Sequence, residues 1–488
     1  MKSISTNNLP IKALLLRAVF ALILLFMHYS VLYASNAVNT GMKSELKLIM
    51  MSQQLPVLTS ADLMRLPLIS IDDMKFVGAF RIKSGRYGES KTGYSNGRIA
   101  YNDDNHSLFI TGFPSDSSIA EFLIPELVNS SNILELNRTS KPRQDFFRPL
   151  LRLKEENTQN LNRLGGMEYV EGELLVHSYE YYDAQVDSTY TSLVIRNANN
   201  MNNSIIDGFF EFDGNAHVSL WISPLPTQLQ QLFDGDYITG ASSVMPINSR
   251  ASMGPSAFVF NSADIVKTDN TNNIRQKNGL INTIKLLDYN LAHILTDNVK
   301  GWLPFKEWGG KIQYNYSGQR PAGDDFPLVY DVNLVGNNYL WTEKSSAQYG
   351  IVLPGTRTYA IFGSSSMHYS GGGYKITKKN GKTCPGPCAY DPSDNNNYYW
   401  FYDLAELYQI KTGKKRPYEV KPYSFGRFVT PFDKMYSAKR KYGYKPLVSG
   451  GTYNAKDKII YFSLPVADLE QSIYEPAPVI MAYKLNRN

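Results

Sequence analysis

A hairpin signature that recurs along the chain constrains this sequence more than any other feature. It consists of small residues, an aromatic, a polar turn, and then a strand of β-branched and aromatic residues. The first copy is Gly97-Arg98-Ile99-Ala100-Tyr101, a turn over 102–106, and Leu108-Phe109-Ile110. The second is Gly165-Gly166-Met167-Glu168-Tyr169, a Glu171-Gly172 turn, and Leu174-Leu175-Val176. A late copy is Gly450-Gly451-Thr452-Tyr453, a turn over 454–458, and Ile459-Ile460-Tyr461-Phe462. Alternating runs with polar tips read as antiparallel hairpins. A second pattern follows such hairpins, a strand ending in an acidic-leucine segment. Examples are Phe258 to Ile265, Trp400 to Leu407 and Phe462 to Leu469. Repetition of this kind is how propeller blades are written.

The predicted fold is therefore all-β, a β-propeller of four-stranded antiparallel blades over residues 76–488. Dividing the body by a blade of roughly 50–65 residues gives about seven blades. A pair of β-sandwiches would show linkers, and a β-helix would show a shorter period. Composition agrees with sheet. There are 34 Tyr, 23 Phe and 35 Gly, and only 19% of residues are charged; Tyr and Phe favour strands and Gly favours turns. The final run, Val479 to Lys484, reads as a strand that closes the ring against the first blade.

Ahead of the sheet region, Lys2, Lys12 and Arg17 flank or precede the apolar run Ala18–Phe26, and small residues follow at 33–37. That pattern predicts a signal peptide over 1–34, a leader segment over 35–75, and a secreted or periplasmic monomer with no stable membrane insertion. Within the leader, 45–53 reads as a short helix, and Ser60 with Asp62 as a helix cap. Losing Lys2, Lys12 and Arg17 takes the formal charge from +6 to +3. This mild excess permits an acidic ligand and argues against a nucleic-acid partner.

Cys384 and Cys388 are the only two cysteines, and in an exported chain they suit a local disulfide clip better than half of a zinc site. After the leader, the histidines are His106, His177, His217, His293 and His368, none at metal-ligand spacing. No catalytic metal or other cofactor is expected. A structural Ca²⁺ would suit the oxygen-rich loop around Asp391, Asp394 and Asn395–Asn397, with plain solvation as the alternative.

Three patches carry candidate chemistry. In His177-Ser178-Tyr179-Glu180-Tyr181-Tyr182, alternation puts His177, Tyr179 and Tyr181 on one face. Tyr190 and Arg196 follow within a hairpin. His177 and Tyr181 can divide proton transfer, and the Arg196 fork matches a carboxylate. The second patch holds Tyr237 and, before a small-residue loop, Arg250. The third is the Ser- and Gly-rich loop around His368 and Tyr369. Ordinary blade packing and solvated turns are the alternative readings of each patch.

The runs Ile99–Asn102 with Ser107–Gly112, Ser252–Phe258 and Tyr399–Leu404 resemble the ulvan lyases of marine bacteria, a family of seven-bladed propellers, with likeness spread over about 76–485. The resemblance implies an exported enzyme cutting a sulfated algal polysaccharide by β-elimination at a uronate. In that chemistry an Arg neutralises the carboxylate and a His or Tyr takes the C5 proton. Carried to this chain it implies Tyr181, His177 and Arg196 as catalytic, with Tyr237, Arg250, His368, Tyr369 and Tyr190 as cleft residues. The chain departs from the family at Gly112-Phe113, where a histidine is usual. His177 takes over its role, or another uronate polymer is cut, or a polymer is only bound. A glycan-binding propeller without catalysis and a glycoside hydrolase with two carboxylates in its cleft are the competing functions.

Overall fold

The computed structural model describes residues 58–486 apart from 184–187, 243–252, 267–279, most of 291–339, 343, 369–371, 375–376, 385–386, 390 and 434–444. The described residues form five four-stranded antiparallel blades. The first holds β2 (Ile99–Asn102), β3 (Ser107–Thr111), β4 (Ile119–Leu123) and β5 (Gln144–Phe147), after β1 (Met74–Arg81). The second holds β6 (Arg163–Val170), β7 (Glu173–Tyr179), β8 (Tyr190–Ile195) and β9 (Ile206–Phe212), with the short parallel strand Leu280–Ile281 outside. The third holds β10 (Trp221–Pro224), β11 (Tyr237–Gly240), β12 (Ala257–Phe260) and β13 (Ile284–Leu287). The fourth holds β14 (Ser346–Val352), β15 (Thr358–Ser366), β16 (Asn395–Asp403) and β17 (Ser424–Arg427). The fifth holds β18 (Gly450–Asn454), β19 (Ile459–Asp468) and β20 (Ala477–Leu485), and β1 pairs outside β20.

The propeller expectation holds, and the described residues form five blades where about seven were expected. Dividing the length by a repeat treats every residue as blade. The described blades are unequal in span, from 99–147 in the first to 346–427 in the fourth. The last blade is closed by both ends of the domain, with Met74 opposite Leu485 and Arg81 opposite Val479. That pairing removes two free sheet edges at once. Ahead of β1, the helix Ser60–Arg65 is capped by Thr59, one residue before the expected Ser60, in a reciprocal box with Asp62. Its Leu63 joins the main core.

All three hairpins read from the signature are the innermost pair of a blade. Their small residues have one physical cause. Inner strands of adjacent blades meet at the ring axis too closely for side chains. A Cβ on Gly166 would lie 2.5 Å from the Trp221 Cα, one on Gly450 would lie 2.4 Å from the Gly97 carbonyl oxygen, and one on Gly451 would lie 2.4 Å from the Tyr349 ring. The Glu171-Gly172 turn has positive φ at both residues, 49° and 89°, as a tight hairpin demands.

The axis is closed. Arg98, Trp221, Gln348 and Tyr349 surround a residual space of only about 10 Å³, little more than one water occupies. The Arg98 guanidinium donates to the Gln348 carbonyl at 3.1 Å across it. The two ends of the ring are therefore separate surfaces, one where the inner strands begin and one where they finish.

Candidate functional site

Strand direction decides which candidate residues can meet. β7 runs from Glu173 to Tyr179, and β8 returns antiparallel beside it. Tyr181 lies just beyond the end of β7. Arg196 lies just beyond β8 and so returns to the start of β7. Its guanidinium pairs there with Glu173 at 2.7 Å and with Asp207 at 2.6 Å, and donates to the Ile265 carbonyl at 3.0 Å. The side chain is only 6% exposed. Six residues of strand put Arg196 about 20 Å from Tyr181. Nearness in sequence misled because a hairpin brings its two ends together, not the end of one strand and the end of the next.

His177 is also committed elsewhere. It is fully buried in β7. Its Nδ1 lies 2.6 Å from the Ser192 hydroxyl and its Nε2 lies 2.9 Å from the Thr239 hydroxyl in the neighbouring blade. Thr239 has one proton and two carbonyls to give it to, Val218 at 2.5 Å and Trp221 at 2.8 Å. Nε2 therefore carries hydrogen toward Thr239, and Nδ1 accepts from Ser192. Burial pushes the imidazole down to about 3. This is a neutral tie between the second and third blades, with no nitrogen left for a substrate. The structure does not gather His177, Tyr181 and Arg196 into one site.

The half-buried Tyr181 stands at the end of the ring where the inner strands begin. Its backbone N–H donates to Asn162 Oδ1 at 3.1 Å, and its ring meets Tyr182 edge to face at 5.0 Å. The Arg163 guanidinium lies over it, 4.6 Å from the ring centre, within cation–π range. Arg163 also donates to the Asn162 carbonyl at 2.7 Å. Burial, with Tyr182 and Tyr179 adding to it, holds the Tyr181 phenol above its ordinary range, while Arg163 opposes them. Arg163 escaped the sequence reading, although its signal was present. It opens the strand of the Gly165-Gly166 signature and is the antiparallel partner of Tyr179. The same end of the ring presents Phe113, with the Lys91 ammonium 5.0 Å above its ring.

The remaining candidates scatter. Tyr190 stacks on Phe209 at 5.5 Å within the second blade. His368 is buried, 2.7 Å from the Ser365 hydroxyl and stacked on Tyr398 at 4.9 Å. Arg250 and Tyr369 lie outside the described residues. Cys384 and Cys388 are joined by a disulfide. Asp391 is held by Lys379 at 2.8 Å and by Ser393, which draw its carboxyl down to about 2. Among the described residues, no three His, Cys, Asp or Glu side chains are gathered as metal ligands.

Tyr237 belongs to the other end of the ring. It lines a cleft of about 480 Å³ where the inner strands finish, together with Tyr101, Glu168, Tyr169 and Tyr453. The end holding Tyr181 presents Arg163 and the ion pair of Lys91 with Glu475 at 2.5 Å, whereas this cleft is bordered by the acids Asp103, Glu168, Glu171 and Asp236.

No protein-family model matches the chain, and no curated protein matches it. Among solved structures, it is similar to the holo form of the PQQ domain of pyranose dehydrogenase from Coprinopsis cinerea. The match covers 85% of this chain and 98% of that one, at a TM-score of 0.34 and 8% identity.

Proposed function

We propose that the propeller is an exported polysaccharide lyase that cleaves a uronate-containing algal polymer by β-elimination, at the end of the ring bearing Tyr181 and Arg163. The observation that carries this reading is the Arg163 guanidinium 4.6 Å above the Tyr181 ring. It pairs a phenol with a cation at an open strand end, and it gives Arg163 the part first expected of Arg196. The guanidinium fork grips the uronate carboxylate by two parallel hydrogen bonds. Neutralising that carboxylate lowers the cost of charge building on it as C5 loses its proton. Tyr181 first gives its proton to solvent, a loss that Arg163 favours and burial opposes, and its phenolate then takes the C5 proton. The C5–H electrons become the C4=C5 double bond, the C4–O bond breaks, and the Tyr182 hydroxyl protonates the departing oxygen. The resemblance to ulvan lyases supports the substrate class, and a polymeric substrate suits a protein that is exported.

The test uses purified protein with ulvan and other algal uronate polymers, following the ultraviolet absorbance of the unsaturated product. The expected result is a rise in absorbance that Tyr181→Phe abolishes. New reducing ends without that absorbance would identify a hydrolase and sink the lyase reading.

A second reading rests on Phe113. Where the resemblance calls for a histidine, the chain has an aromatic ring under a lysine that is paired with Glu475, an arrangement that suits stacking on a sugar whose sulfate takes the place of Glu475. On this reading the protein binds the polymer without cutting it, and the same assay gives saturable binding and no product.

A further inference from the structure

The cleft at the opposite end of the ring contains a buried carboxyl with no partner. Glu168, at the end of β6, is only 8% exposed, and its Oε2 is enclosed without a hydrogen bond. Behind it, in the axial plug and outside the cleft lining, the Tyr349 hydroxyl of β14 is likewise enclosed without a partner and lies close enough to feel the charge of Glu168. Such groups cost roughly 1–3 kcal/mol each when unsatisfied, and more when charged. A polar floor of this kind is retained most readily where something else completes it.

The walls say what that partner is. Asp103 and Glu171 are exposed, and the partly buried Asp236 is held by the Ser262 backbone N–H at 2.7 Å and its hydroxyl at 2.5 Å. Lys456 is the only cation among the described lining residues and sits exposed at the edge. The rings of Tyr101, Tyr169, Tyr237 and Tyr453 supply the rest of the wall. Acids and tyrosine rings attract positive charge and repel an anion. The acids do not converge as a metal site would, since no group of three ligating side chains exists among the described residues. They are spread around a volume suited to an organic molecule.

We propose that this cleft binds a small organic cation, an alkylammonium whose N–H groups meet the Glu168 carboxylate while its carbon chain lies among the tyrosine rings. The site is distinct from the Tyr181 end, from which the plugged axis separates it. Burial, with Asp103 adding to it, holds the Glu168 carboxyl well above the usual carboxylate range. A bound ammonium reverses that balance, so binding displaces a proton from Glu168 wherever the free protein holds one. The other titratable groups around it are Asp103, Glu171, Asp236, Lys456 and the phenols of Tyr101, Tyr169, Tyr237, Tyr349 and Tyr453, each phenol raised by burial.

The test is calorimetric titration of the full protein with putrescine near pH 7, in two buffers of different ionisation enthalpy. The expected result is saturable binding whose heat depends on the buffer, weakened about tenfold or more by Glu168→Gln. Glucose is expected not to bind, and tetramethylammonium, which has no N–H, to bind more weakly than putrescine. Should the Gln variant fail to fold, Asp103→Asn at the exposed rim is expected to weaken binding about threefold. Buffer-independent heat, an unchanged affinity in the variants, glucose binding as tight as putrescine, or no putrescine binding would each overturn the proposal. None of these outcomes bears on the lyase assay, which reads the other end of the molecule.

Discussion

At the scale of single residues, the charged groups buried in this protein fall into two kinds, and their mutants should differ in sign. Arg196 satisfies Glu173 and Asp207 in a dry interior. Arg196→Met leaves two carboxylates buried without a cation, and the expected loss is about 3–5 kcal/mol, measured by urea denaturation. Glu168 has no cation to lose. Its folded carboxyl titrates above the unfolded value, so the stability tied to it is complete at acid pH and falls as pH rises past the ordinary carboxylate range. Glu168→Gln should remove that fall, leaving the variant more stable than wild type near pH 8 and no more stable near pH 4, as melting temperatures would report. His177 runs the other way. Its folded imidazole is depressed to about 3 from 6.5, so the unfolded chain takes up a proton first as pH drops below 6.5. The fold weakens between those values, and His177→Gln should lessen that acid sensitivity.

At the scale of elements, the inner strands were legible and the assembly around them was not. The Gly165-Gly166 and Gly450-Gly451 pairs marked strands at the ring axis because no side chain fits there. Gly166→Val places a branched chain against the Trp221 backbone, and the expected outcome is a loss of more than about 3 kcal/mol, or failure to fold. The strand character of Val479–Lys484 also announced the closure of the ring. Blade number was hidden, because the described blades differ in span, 99–147 in the first against 346–427 in the fourth. Side-chain partnership was hidden for a different reason. Alternation placed His177 and Tyr181 on one face of the same strand. It could not show that Thr239, a whole blade away, would bond that histidine, nor that antiparallel return carries Arg196 to the far end. Arg163 could have been found by asking which residue pairs across the hairpin from Tyr179.

At the scale of the whole molecule, a plugged axis divides the propeller into two ends of unlike lining. The end with Arg163, where Lys91 is already paired with Glu475, suits an anion better than the Tyr- and acid-lined end. The proposed chemistry therefore depends on one arginine and not the other, which a paired measurement on Arg163→Met and Arg196→Met tests most directly. Eliminative cleavage of a uronate polymer and melting temperature would be followed for both. The account predicts that Arg163→Met lowers turnover by about a hundredfold or more and leaves the melting temperature near that of wild type. It predicts that Arg196→Met melts several degrees lower while its folded fraction still turns over. Turnover that survives Arg163→Met within a few-fold, or that is lost in folded Arg196→Met, would contradict it.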